Sequence, residues 1–189
     1  MNQTILCGVF VMGWLRSQPA GGANAGSVEI DPISAIPKVV GAQRISSIAL
    51  LEEVVNIHSG TMNHAGVRKV ADVFARELNA IGFKSTWHAM ESVNRAGHLF
   101  AEYGRGGVCQ LLIGHLDTVF EKNSPFQRFE REGDIAVGPG VNDMKGGDVV
   151  IVHALKALKE IGALDRGRYI VALIGDEEKS GSPTSVSRF

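Results

Sequence analysis

Apolar and polar residues follow two different periods along this chain. Three segments place apolar residues three and four positions apart, which is the spacing of an amphipathic helix. They cover about residues 46–59, 63–82 and 145–161. Between them lie short apolar runs bounded by turn residues, and these predict strands. The runs are FKSTWHAM, HLFAEYG, VCQLLIGHLD, GDIAVGP and YIVALI.

Helices that alternate with nearly continuous apolar strands predict an α/β fold, with a mainly parallel central sheet flanked by helices. Ligands of such sheets bind outside the carboxyl ends of the strands. The residues that follow the runs VCQLLI and YIVALI are therefore the first candidates for function.

The first 39 residues do not follow this pattern. Residues 5–15, ILCGVFVMGWL, form an apolar run, and a small-x-small triplet ends at Ala25. This predicts a signal peptide over residues 1–25, a linker over 26–39 and a domain over 40–189, with a periplasmic or secreted location. No Lys or Arg precedes the run, which favours an unexported leader and a cytoplasmic protein instead. The run is too short for a membrane span.

Composition narrows the class of partner. The 189 residues suit about one domain, and 19 Lys and Arg against 20 Asp and Glu give a net charge of -1. Because the chain has no surplus of basic residues, we do not expect nucleic acid as a partner. We expect a small-molecule partner instead. The two cysteines form neither a disulfide framework nor a Cys-x-x-Cys motif. Cys109, at the start of an apolar strand, is expected to be a buried thiol.

The first candidate pair follows the strand VCQLLIG. His115 and Asp117 stand two positions apart, so both side chains point to the same face of an extended strand. A histidine that binds a metal commonly donates its second ring N–H to a carboxylate, and this spacing gives Asp117 that role. A buried His–Asp hydrogen bond without a metal explains the same pair equally well.

Asp143 lies in the glycine-rich stretch GPGVNDMKGG, just before the third predicted helix. At that position the helix dipole favours an ionised carboxylate, which is the form that binds a metal. A plain N-cap aspartate is the alternative. A nucleotide-binding loop is a further alternative, although the stretch lacks the spacing of the known glycine-rich phosphate motifs.

Glu177 and Glu178 follow the strand YIVALI in the stretch GDEEKSG. Adjacent side chains diverge, so one glutamate can bind a metal while the other takes a proton from water. An acidic run by itself is often a solvated loop. If the three clusters meet, their carboxylates repel one another, and a divalent cation relieves that repulsion. Imidazole with carboxylates suits zinc, with cobalt or manganese as alternatives.

Taken together, GHLDTVF, GPGVNDMKGG and GDEEKSGS closely resemble the motifs of the M20 metallopeptidases, nearest to the glutamate carboxypeptidase branch. The resemblance implies two Zn²⁺ ions. His115 would bind one ion, Glu178 the other, and Asp143 would bridge them. Asp117 would orient the histidine, and Glu177 would be the general base. The resemblance also implies a non-proline cis peptide bond at Asp143.

The reaction implied by the resemblance is hydrolysis of an amide bond, with release of a C-terminal amino acid such as glutamate. The substrate would be a small peptide or an N-acyl amino acid. Aminoacylases, deacylases and dipeptidases of the same family are alternatives. The full-length form is expected to be a homodimer.

The resemblance runs from about Ile45 to Phe189 and omits later family features. Members supply a further acidic ligand, a late histidine and a lid or dimerisation domain, whereas residues 179–189 contain no Asp, Glu or His. We therefore expect the N-terminal portion of an incomplete zinc-peptidase catalytic domain, with weak metal binding and little or no catalysis. The alternative is a noncatalytic remnant that binds a metal, or a partner chain at an open sheet edge.

Overall fold

The structure is a computed structural model that describes residues 32–181. The helices are α1 (Pro32–Ala42), α2 (Arg44–Val55), α3 (His64–Ala80) and α4 (Lys145–Glu160). The strands are β1 (Lys84–Met90), β2 (Arg95–Tyr103), β3 (Cys109–His115), β4 (Glu130–Glu132), β5 (Ile135–Val137) and β6 (Arg168–Ile174). The three predicted helices correspond to α2, α3 and α4. The five predicted strands correspond to β1, β2, β3, β5 and β6.

The central sheet has the strand order β1-β2-β6-β3. The α/β class with a sheet flanked by helices is confirmed, but the expectation of a mainly parallel sheet is wrong for the described residues. β2 is antiparallel to both β1 and β6, and only β3 and β6 run parallel. The connection Glu91–Asn94 is too short for a crossover, so β1 and β2 can only pair antiparallel. β3 and β6 are joined through α4, as parallel neighbours require.

One hydrophobic core lies between the helices and one face of the sheet. The face consists of alternate residues of β2 and β6, and it packs against apolar residues of α3 and α4. Fully buried members include Val70, Phe74, Leu78, Leu99, Val152, Leu155, Val171 and Leu173. Along helices α3 and α4 these residues recur at helical spacing, which is why the sequence pattern located both helices.

The opposite face of the edge strand β3 is open to solvent. Leu111 and Ile113 alternate with the buried face and are 58% and 60% exposed. Cys109 is also exposed, so the expectation of a buried thiol is wrong. An apolar run in the sequence indicated burial on both faces, whereas within residues 32–181 no helix covers this side of β3.

Only part of the N-terminal prediction falls on residues that the structure describes. The signal peptide over residues 1–25 and the start of the linker lie outside the described residues. Residues 32–39 belong to helix α1, and Pro37 lies inside this helix. The boundaries of the predicted domains stay predictions. Across the described residues, no helix combines the length and the apolar character that a bilayer span requires.

Candidate metal and catalytic site

The parallel pair β3 and β6 brings two of the predicted motifs side by side. His115 at the end of β3 is in register with Ile174 at the end of β6. The pairing continues for one residue, because the Leu116 N–H donates to the Ile174 carbonyl at 2.7 Å. The chain segments that leave the two strands, with Asp117 on one and Glu177 on the other, therefore start as neighbours at the carboxyl edge.

His115 is the centre of this cluster. Its Nε2 lies 3.0 Å from Asp143 Oδ1 and 4.0 Å from Glu177 Oε2. Its Nδ1 lies 3.1 Å from the main-chain carbonyl of Asp117 and 3.4 Å from Asp117 Oδ1. A proton on Nδ1 satisfies both oxygens and leaves the Nε2 lone pair for a cation. Burial alone lowers the pKa of His115, but Asp117 and Asp143 outweigh it and raise the pKa to about 9.

Asp117 is buried completely and is surrounded by donors. Its Oδ2 accepts hydrogen bonds from Thr61 Oγ1 at 2.7 Å and from the Glu178 amide at 3.1 Å, and its Oδ1 accepts from the Glu177 amide at 3.2 Å. Burial raises the pKa of Asp117, yet the bonds from His115, Thr61 and Glu178 more than offset it, and the net pKa is lowered. The carboxylate is thus ionised and holds three chain segments together.

Thr61 is a site residue that the sequence motifs did not indicate. It reaches Asp117 because residues 59–61 run beside the segment after β3. The Thr61 amide donates to the Thr118 carbonyl at 3.3 Å, and the Thr118 amide donates to the Ser59 carbonyl at 3.0 Å. Gly60 allows this close approach, since a Cβ there would lie 2.5 Å from the Phe120 carbonyl oxygen.

The donor atoms of the cluster fit a metal ion. One ligand atom from each of His115, Glu177 and Glu178 lies within 4.8 Å of the others, and Asp143 contacts the same imidazole nitrogen. Burial raises the pKa of Glu178, His115 opposes this shift, and Asp143, Asp117 and Glu177 add to it, so the net pKa is raised. Such crowding of carboxylates around one imidazole is what a divalent cation would relieve.

Asp143 lies in the loop before α4 and its side chain is 72% exposed. The peptide bond between Asp143 and Met144 is cis, as the family resemblance implied. Helix α4 begins at Lys145 and its N-cap residue is Met144, which makes no side-chain capping bond, so Asp143 is not a simple N-cap. All five predicted site residues therefore come together at one edge of the sheet, while the role of each stays a prediction.

Two buried ionisable residues of α4 also lie beneath the site, and the sequence motifs gave them no role. Burial lowers the pKa of Lys145 to about 7 and raises that of Asp148 well above its usual range. Both carboxyl oxygens of Asp148 lack a hydrogen-bond partner among the described residues. A charged carboxylate would be costly there, so the protonated form is favoured.

A cleft of about 310 Å³ opens beside the cluster. Three apolar side chains, Val119, Phe120 and Phe126, form one wall, and the two rings meet edge to face with centroids 4.9 Å apart. Asp143 and Glu178 line the same cleft. The arrangement offers an apolar surface next to a group of metal-binding oxygens.

Comparison with known proteins places these motifs in a family. The model of Peptidase family M20/M25/M40 matches residues 111–188, which include His115, Asp143 and Glu178. Carboxypeptidase G2 of Pseudomonas sp. (strain RS-16) is 40% identical over 134 residues, covering 70% of this chain and 32% of the relative. This chain belongs to peptidase family M20. The family predicted from the three motifs is confirmed.

Other M20 relatives differ in their named activities. Succinyl-diaminopimelate desuccinylase of Methylocella silvestris is 31% identical over 140 residues, which cover 70% of this chain and 35% of that enzyme. The chain thus spans about a third of the length of the curated relatives it matches.

Solved structures support the same fold. Human carnosine dipeptidase 1 matches 78% of this chain and 35% of its own, with a TM-score of 0.70 and 16% identity. An M20 family metallo-carboxypeptidase from Sulfolobus solfataricus matches 70% of this chain and 31% of its own, with a TM-score of 0.58 and 20% identity. The α/β arrangement of the described residues is therefore that of M20 catalytic domains.

Proposed function

We propose that this chain carries the metal-binding part of a zinc-dependent hydrolase that cleaves an amide bond. The observation that supports this most directly is the grouping of Glu177 and Glu178 with His115, whose Nε2 also contacts Asp143 at 3.0 Å. M20 membership implies a metal cofactor. Zinc as its identity, and two ions as its number, are part of the proposal.

The position of each site residue supports a particular role in the proposed reaction. When bound, the metal would polarise the scissile carbonyl and lower the pKa of a water molecule. His115, Asp143 and Glu178 would hold it, with Asp117 fixing the orientation of the imidazole. Glu177 is 59% exposed and its Oε2 lies 4.0 Å from His115 Nε2, so it can reach water beside the site and take its proton.

The substrate we propose is a small peptide or an N-acyl amino acid, with a C-terminal residue such as glutamate as the released product. The apolar wall of Val119, Phe120 and Phe126 would hold the acyl side of the scissile bond. The name of carboxypeptidase G2 supports removal of a C-terminal residue. A deacylase acting on a succinylated amino acid is the second candidate, favoured by the desuccinylase relatives.

The test is hydrolysis of N-benzoylglutamate, an N-succinyl amino acid and a dipeptide by the purified chain with added Zn²⁺. We expect slow turnover of at least one substrate, reduced about 100-fold or more in Glu177→Gln because the proton acceptor is lost. Glu160→Gln, an exposed change at the end of α4, is the matched control. Equal rates in wild type and Glu177→Gln would reject a catalytic function for this chain. Metal binding would then be the part of the proposal that remains.

A further inference from the structure

We infer that Lys145 is a positioning residue, which holds the Asp143 loop against the end of helix α2. Only one consequence of this inference, a change in metal affinity, rests on the proposed function. Its structural part concerns residues 138–146, here called the Asp143 loop, which end in the first turn of α4, and this part needs no metal.

The contacts of Lys145 join two separate parts of the site. Its side chain is fully buried. Nζ donates to the carbonyl oxygens of Val54 and Ile57, each at 2.9 Å. Val54 lies in the last turn of α2 and Ile57 just after its end, where the helix dipole favours a donor or a cation. The Val54 carbonyl also accepts from the Ile57 amide at 3.3 Å. Four residues beyond Ile57, Thr61 donates to Asp117.

The aliphatic part of Lys145 supports the loop from below. A Cβ on Gly140 would lie 3.0 Å from both Cγ and Cδ of Lys145 and 3.2 Å from Thr118 Cγ2. Gly140 has a φ of +80°, so the loop backbone packs directly on the lysine chain at this point. Two amides of the same loop are bonded within it: Val141 to the Gly138 carbonyl at 3.1 Å and Gly146 to the Gly140 carbonyl at 3.2 Å.

Asp143 lies in the exposed part of this loop, two residues before Lys145. Its exposed carboxylate reaches His115 Nε2 at 3.0 Å, although the N-cap residue of α4, Met144, makes no side-chain bond that would fix the turn. The lysine is thus the buried anchor nearest to Asp143. Its amine donates hydrogen bonds in either charge state, so the anchoring does not depend on ionisation.

A purely structural lysine would behave differently from a positioning one. Removing the Lys145 amine leaves the carbonyl oxygens of Val54 and Ile57 with one donor fewer, so some loss of global stability is expected whichever role the lysine has. Lys145→Met keeps an unbranched chain under Gly140 and removes the two bonds to α2. A positioning role predicts that the Asp143 loop loosens by more than any global loss of stability explains, and this separates the two roles.

The experiment measures amide hydrogen exchange by NMR in the metal-free chain for wild type, Lys145→Met and Lys156→Met. Lys156 lies on the same helix, is 23% exposed at its side chain and pairs with Glu77 at 2.6 Å, so its variant is the matched control. We expect exchange at Val141 and Gly146 to be about tenfold faster or more in Lys145→Met only, and to accelerate more than exchange at Val171 in the central sheet, which reports global opening. Equal exchange at the loop amides, or equal acceleration at Val171, would overturn the inference.

If Lys145→Met does not fold, Lys145→Gln takes its place. Its amide is one bond shorter than the lysine amine and cannot reach both carbonyls, so the same loop-specific acceleration is expected and the same two results would overturn it.

Titration with Zn²⁺ then tests the consequence for the site. Lys145→Met should bind zinc about 10- to 100-fold more weakly than wild type, as is typical when a group behind a metal ligand is removed, and Lys156→Met should bind like wild type. Equal affinity in all three proteins would overturn the link to the metal. If wild type binds no zinc, the proposed function fails, while the exchange experiment still decides the role of Lys145.

Discussion

At the scale of single residues, Asp117 connects the parts of the site. The carboxylate accepts hydrogen bonds from Thr61 and from the amides that carry Glu177 and Glu178, and it lies against the His115 ring. The sequence spacing predicted the neighbour His115, on the expectation that both residues belong to one strand and share a face, although β3 ends at His115 and Asp117 lies two residues beyond it. It could not predict Thr61, which is 56 positions away in the chain.

Asp117→Asn should weaken the interaction that orients the imidazole of His115. Without the negative charge, we expect the pKa of His115 to fall from about 9 toward its ordinary value. Zinc affinity should drop about 10- to 100-fold. NMR titration of the His115 ring in the metal-free chain measures the first effect and calorimetry the second. Asp72→Asn, an exposed partner of Arg68, is the control, and an unchanged His115 pKa in Asp117→Asn would contradict the assignment.

The proton on His115 also predicts how zinc binding depends on pH. A raised pKa means that the metal-free ring stays protonated up to about pH 9, and zinc must displace this proton. The apparent affinity should therefore rise with pH, by about tenfold per unit between roughly pH 7 and pH 9, with release of about one proton. Calorimetry in buffers of different ionisation enthalpy counts the protons. An affinity independent of pH would contradict this pKa.

Thr61→Val should destabilise the fold as well as the site. The change keeps the shape of the side chain but leaves Asp117 Oδ2 with one donor fewer in a buried position, which costs about 1–3 kcal/mol of unfolding free energy. Urea unfolding measures it, with Thr86→Val on the exposed side of β1 as the control. A loss no larger than in the control would show that the hydrogen bond contributes nothing.

At the scale of helices and strands, periodicity located most of the fold. Val70, Phe74 and Leu78 recur on one face of α3, and the run Tyr169–Ile174 forms a strand, as its composition indicates. The pairing directions were not available from the same pattern. β2 is almost fully buried like a parallel strand, yet the tight connection Glu91–Asn94 makes it antiparallel to β1.

The two faces of the sheet should respond differently to mutation. Leu173 in β6 is 1% exposed and packs in the core, so Leu173→Ala should cost about 2–5 kcal/mol of unfolding free energy. Ile113 in β3 is 60% exposed, and Ile113→Thr should change stability by no more than about 0.5 kcal/mol. Chemical denaturation of both variants measures the contrast. A large loss in Ile113→Thr would show that something covers this face in solution.

At the scale of the whole molecule, the site depends on contacts between distant parts of the chain. Asp143 and Glu178 reach His115 only because β3 and β6 are adjacent and α4 crosses between them. The sequence predicted this meeting from the rule that ligands bind at the carboxyl edge of strands, and from the motif resemblance. Export, homodimer formation and the identity of the released amino acid stay predictions.

The most direct test of the central claim is the number of zinc ions bound by the purified chain and their dependence on His115. Equilibrium dialysis with metal analysis should find at least one zinc per chain, bound about tenfold or more weakly in His115→Ala because its nitrogen is a ligand. His88→Ala, a histidine of the distant strand β1, should bind like wild type. Zinc binding that is absent in wild type, or unchanged in His115→Ala, would contradict a metal site at this edge of the sheet.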